Sequence, residues 1–173
     1  MQVIINILLI TVLAFLTYQD FRHRAISWIA PVAVFGLLVF KGLLTLPFMK
    51  LGGDFLVNEL ILIVQFSILI IYFRLKGYSF KGFWENVMGI GDLLFLVCIS
   101  AAFAPFNFIL FLLAGPLFTM LGYGLMILFK IGKEKPIPFA GLLATFMILL
   151  IITQAFGKWD CYDNETVLKL ILH

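Results

Sequence analysis

Charge is what this sequence has least of. Asp, Glu, Lys and Arg make up 12% of its 173 residues, hydrophobic types make up 64%, and the mean hydropathy is +1.15. A soluble domain carries about 25% charged and about 45–50% apolar residues. The deficit excludes an ordinary soluble fold and implies an integral membrane protein. Two cysteines, Cys98 and Cys161, exclude a zinc tetrad and a disulfide framework. Cys98 lies in an apolar run and reads as a small packing residue. There is no P-loop, no Gly-x-Ser-x-Gly elbow and no His-Glu-x-x-His, the two histidines being His23 and His173. Internal repeats and low-complexity segments are absent too. A formal net charge of +3 requires no nucleic-acid partner. The first apolar run has neither a basic flank before it nor a small-residue cleavage site, so it is expected to be retained rather than removed as a signal peptide.

Long apolar runs are present in quantity. A spanning helix needs roughly 20 apolar residues, and six runs qualify, at 2–19, 26–48, 56–73, 88–104, 107–129 and 137–156. Local chemistry separates them: "DFRHR", "KLGGD", "RLKGYSFKGFWEN", "APFN" and "KIGKEKPIP". The expected fold is therefore all-α, with about six transmembrane helices over residues 1–156. A polar tail, 157–173, follows. Its Val167, Leu168, Ile171 and Leu172 recur at helical spacing, as in a segment lying on a membrane surface.

Basic residues orient the spans. Loops one, three and five carry Arg22, Arg24, Arg74, Lys76, Lys81, Lys130, Lys133 and Lys135, eight in all, against four (Lys41, Lys50, Lys158, Lys169) on the other side. The positive-inside rule then makes the odd loops cytoplasmic and both termini external. Tyr78, Phe80, Phe83, Trp84 and Glu85 of loop three read either as an interfacial belt or as a cover over a site.

Of the nine acidic residues, seven are expected in loops or the tail; the exceptions are Asp20, ending span one, and Asp92, opening span four. Those spans run in opposite directions, so both carboxyl groups fall at the same, cytoplasmic, edge. Two carboxyl groups close together share a proton: one can activate a water while the other polarises a carbonyl. Gly89 and Gly91 leave the backbone beside Asp92 open to close approach. Structural readings stand beside this one. Asp92 suits the positive end of its own helix, Asp20 is four residues from Arg24, and the glycines suit helix packing.

"GIGD" opening one apolar helix, with "DFRHRAI" closing an earlier one, resembles the type IV prepilin peptidases, polytopic aspartic proteases with a Gly-x-Gly-Asp motif. Asp20, Arg22 and Ile26 match the family's first motif, with Ser27 where proline is usual. Gly89, Gly91 and Asp92 match the second, with Leu94 where lysine is common. "KPIPFAGLLA" is similar to the proline-rich start of the family's last helix, with Pro136 and Pro138 in register and Gly141 where a further proline is frequent. The resemblance implies an endopeptidase that removes a short cytoplasmic leader from pilin-like or archaeal flagellin-like precursors. Its catalytic residues would be Asp20 and Asp92, supported by Gly89, Gly91, Arg22 and Arg24. It would sit in the cell membrane, contacting lipid and precursor, and need no metal or organic cofactor. Without the paired Cys-x-x-Cys segment of the large bacterial forms, no methyltransferase activity is expected. A non-catalytic pilus assembly factor and a small proton-coupled transporter are the alternatives, the latter expecting acids nearer the bilayer midplane.

Overall fold

The computed structural model describes residues 1–23, 26–80, 89–129, 137–157 and 160–164. Among these the apolar runs form six α-helices: α1 (Gln2–His23), α2 (Ile29–Leu43), α3 (Phe48–Leu75), α4 (Ile90–Ser100), α5 (Pro105–Leu128) and α6 (Phe139–Phe156). No strand occurs among the described residues. Proline marks where three of the helices begin. Pro47 caps α3, Pro105 opens α5 and Pro138 caps α6, positions where a missing N–H breaks no intrahelical bond.

Four helices, α1, α3, α5 and α6, are long and apolar enough to cross a membrane. That is compatible with a multi-pass membrane protein, and α2 and α4 are shorter apolar helices. At 1.5 Å per residue α2 is about 22 Å long and α4 about 16 Å, short of a hydrocarbon core of about 30 Å. The expected second span, 26–48, stops at Leu43, where the amides of Thr45 and Leu46 fold back onto the Gly42 carbonyl. The expected fourth span, 88–104, ends at Ser100, and a turn leads to Pro105. By contrast α3 starts earlier than expected, with "KLGGD" inside its first turns. Two glycines weaken a helix by about 1 kcal/mol each without ending it. Asp54, expected in a loop, is therefore a helical residue, as is Glu59, which the run 56–73 contains although it counts among the loop acids above. Lys41, counted with the loop residues, lies buried in the last turn of α2.

The core is built on α1 and α6, which pack against each other; α2 packs on α1 and α4, and α5 on α6. Along α1 the buried residues are Ile5, Leu9, Leu13, Leu16 and then Asp20. Their spacing of three and four keeps them on one face, so the stripe that packs α1 onto its neighbours also carries Asp20 inward. On α6, Ala140, Ala144, Met147 and Ile151 form a matching buried stripe. The opposite faces of α1 and α3 are apolar and exposed, at Ile4, Ile7, Phe15, Leu60, Ile63 and Ile68 for example, surfaces suited to lipid.

At the C-terminal end of α6 the chain folds back on the bundle. Cys161 and Tyr162, in the polar tail 157–173, are buried. The Tyr162 hydroxyl donates to the Leu38 carbonyl at 2.9 Å. Asn107 Nδ2 donates to the carbonyls of Asp160, Cys161 and Asp163. Lys41 Nζ donates to Gln154 Oε1 at 3.0 Å, and Gln154 Nε2 donates to Asp160 Oδ1 at 2.6 Å. Burial pushes the Cys161 thiol up to about 12. The tail residues Val167, Leu168, Ile171 and Leu172 lie outside the described residues.

Candidate functional site

The first turn of a helix has amides with no intrahelical partner. In α6 two consecutive ones are taken by carboxyl groups from elsewhere in the chain. The Gly141 N–H donates to Asp20 Oδ2 at 2.6 Å, and the Ala140 N–H donates to Asp92 Oδ1 at 3.1 Å. Residues from the last turn of α1 and the first turn of α4 thus meet at the start of α6. The two carboxyl groups are close enough for their charges to interact. Asp20 is 5% exposed, while Asp92 is half-buried.

Each acid is held for a physical reason. Asp20 lies at the C-terminal end of α1, where the helix dipole disfavours negative charge, and the N-terminal end of α6 offsets this. Asp92 is the third residue of α4 and takes a further backbone hydrogen bond from Gly89, the N-cap. That is half of a capping box. The capping role weighed for Asp92 from sequence is therefore realised, and the same carboxyl group also serves α6. Hydrogen bonds from N–H groups to a carboxylate are worth about 1.5–3 kcal/mol each.

The glycines differ in what they do. A Cβ at Gly141 would lie 3.0 Å from Asp20 Oδ2 and 3.0 Å from Phe21 Cδ2, so a bare backbone is what lets the amide reach the acid. At Gly89 a Cβ would stand 3.3 Å from Asp92 Oδ2, so its absence leaves room for the carboxyl group to fold back. Gly91 is approached less tightly. A Cβ there would be 3.7 Å from Ile26, an ordinary contact, although it does set Gly91 beside Ile26 of the first motif.

Arg22 is exposed and turned to Tyr18, with its guanidinium over the ring and bonded to the hydroxyl. Arg24, Pro136 and the loop residues Phe83, Trp84 and Glu85 lie outside the described residues. Sequence reasoning missed what three residues contribute. Thr17 Oγ1, one turn before Asp20, donates to the Leu13 carbonyl at 2.9 Å and reaches the Gly141 carbonyl at 3.3 Å. Gly141 and Ser27 stand out in the sequence only as departures from a proline pattern. Both use an N–H that proline lacks: Gly141 toward Asp20, and Ser27 toward Gln19 Oε1 at 3.4 Å.

An apolar groove of about 130 Å³ is lined by Phe66, Leu96, Phe111, Leu112, Leu143 and Phe139, the residue before Ala140, among others. Among the described residues no group of three His, Cys, Asp or Glu side chains is arranged to hold a metal ion. No family model, no curated protein and no solved structure matches the chain.

Proposed function

We propose that this protein is a membrane-embedded aspartic endopeptidase that removes short leaders from pilin-like precursors, with Asp20 and Asp92 as its catalytic pair. One observation carries the reading: two carboxyl groups 72 positions apart in sequence accept hydrogen bonds from adjacent amides at one helix start. Three segments singled out by their resemblance to one family are the segments that supply these groups.

A pair of interacting carboxyl groups retains one proton between them. The ionised member takes a proton from a water as that water attacks the scissile carbonyl. The protonated member donates to the carbonyl oxygen. The other member then passes the proton it took from water to the leaving nitrogen as the C–N bond breaks, and the first member recovers its proton from the diol hydroxyl as the new carboxyl product forms. The α6 amides hold both groups in register. The groove that Phe139 helps to line is mainly apolar, which suits a substrate whose cleavage junction is followed by a hydrophobic helix. In this reading both termini face outward and the acids open to the cytoplasmic side of the cell membrane, where the basic loops lie.

The test is cleavage of a pilin-like or flagellin-like precursor in membranes by the wild type, Asp20→Asn and Asp92→Asn. Both variants are expected to be folded and inactive. If both still cut the precursor that the wild type cuts, the acids serve structure and the assembly-factor reading takes over.

A further inference from the structure

A third acidic residue sits in an apolar setting far from the pair. Glu59 is on α3, where neighbours on the same helix, Leu56, Leu60 and Ile63, are 60–65% exposed; in a bilayer these would face lipid. Its carboxyl group meets the other end of the helix that carries Asp92: Ser100 Oγ, at the last residue of α4, is 2.7 Å from Glu59 Oε1. Eight residues separate Asp92 from Ser100, about 12 Å along the helix. With Asp92 near a membrane edge, Glu59 lies well inside a core of about 30 Å.

Counting hydrogens decides how this contact is made. Ser100 Oγ is also 2.8 Å from the Val97 carbonyl, and a serine hydroxyl has only one hydrogen to give. The Ala101 amide, which would continue the helix by bonding Val97, turns to the Ile99 carbonyl instead. The Ser100 hydroxyl is thus a donor within reach of the Val97 carbonyl, and a hydrogen given to Val97 is not available to Glu59. The contact between Ser100 and Glu59 then needs its hydrogen from Glu59. No cation offsets a charge on Glu59 among the described residues; Ser100 and the nearby Cys98 thiol are the groups that interact with it. An unpaired carboxylate at such a depth costs several kcal/mol, whereas a protonated one does not.

The adjacent residue supports the same arrangement. Asn58 is fully buried, and its Nδ2 donates to the carbonyls of Ser100 and Phe103 at 2.9 and 2.8 Å, while its Oδ1 has no hydrogen-bond partner. The end of α4 thus presents several carbonyl and hydroxyl oxygens to α3, where Asn58 supplies hydrogens to two of the carbonyls and Glu59 lies against the hydroxyl. A carboxylate would bring one more acceptor to a cluster already in excess of acceptors.

We propose that Glu59 is a second proton-binding site of this protein, held as the neutral acid, with Glu59 donating to Ser100 Oγ and Ser100 donating to the Val97 carbonyl. The proton is the ligand, and its role is to fasten the end of α4 opposite Asp92. This inference does not rest on the peptidase reading.

Infrared spectroscopy of the protein in lipid bilayers at neutral pH tests it. The Asp20→Asn, Asp92→Asn double variant serves as background, so that no proton of that pair contributes. The expected result is a protonated-carboxyl C=O band that disappears when Glu59→Gln is added. That substitution keeps the fold intact in principle, because the new side-chain amide N–H can replace the acid's O–H toward Ser100. In the same background Ser100→Ala should shift the band by removing its acceptor. Absence of the band in the background, its survival in Glu59→Gln, or its indifference to Ser100→Ala would each overturn the assignment.

Discussion

The two ends of α6 treat buried polar groups in opposite ways. At its C-terminal end the groups are complementary: Lys41 gives a hydrogen to Gln154, Gln154 gives one to Asp160, and the Asn107 amide is shared among three carbonyls. At its N-terminal end the groups are alike, two carboxyl groups drawn to neighbouring amides. A complementary cluster stabilises the fold as it forms. A pair of acids strains it, since either the charges repel or one group is forced to keep its proton. Burial of polar atoms is therefore no mark of a reactive site by itself. The sign relation between the groups is the more telling feature, because function is where stability is commonly given up.

This contrast can be broken by experiment. The largest effect is expected from Asp20→Asn and Asp92→Asn, each lowering precursor cleavage by at least about 100-fold while thermal stability in detergent holds or rises. A stability loss as large as that of a change at the other end would erase the distinction. Gly141→Ala should reduce cleavage by about 10–100-fold, mainly in kcat, by displacing the Asp20 carboxyl group; titrating precursor concentration separates kcat from KM.

At the complementary end the expected cost is in stability. Asn107→Ala removes the amide that serves three carbonyls and should lower unfolding free energy by about 2–3 kcal/mol, measured by denaturant titration, with cleavage per folded molecule unchanged. Tyr162→Phe deletes only the bond to the Leu38 carbonyl, for about 1 kcal/mol in the same measurement. The smallest effect is chemical. With its thiol pushed up to about 12 by burial, Cys161 has almost no thiolate at pH 8, so it should resist maleimide until the protein is unfolded.

Much of the helical layout was legible in the residues. The proline starts at Pro105 and Pro138 marked helix boundaries. The spacing along α1 makes Asp20 the continuation of an apolar stripe. Hydropathy was less informative about α2 and α4, because a run of apolar residues reads the same whether it is one helix or a helix followed by a buried turn. The sequence 101–104 is such a turn, with Ala101, Ala102, Phe103 and Ala104 all buried. Asp54 was misplaced for another reason: the glycines before it suggested a loop, yet α3 runs through them.

In the site, the residue types were visible and their meeting point was not. No pattern in the chain announces that Gly141 offers its amide to Asp20, since backbone donors have no letter in the sequence.

Composition and periodicity alone determined that this chain is helical, that its helices are apolar enough for a membrane, and that two acids stand at helix ends, because those properties depend on residues close together along the chain. Tertiary structure alone decided that the two acids share the start of α6, that residues 160–164 close the far end, and that Glu59 reaches Ser100. Each depends on which helix faces are pressed together, and that is set by packing among residues distant in sequence.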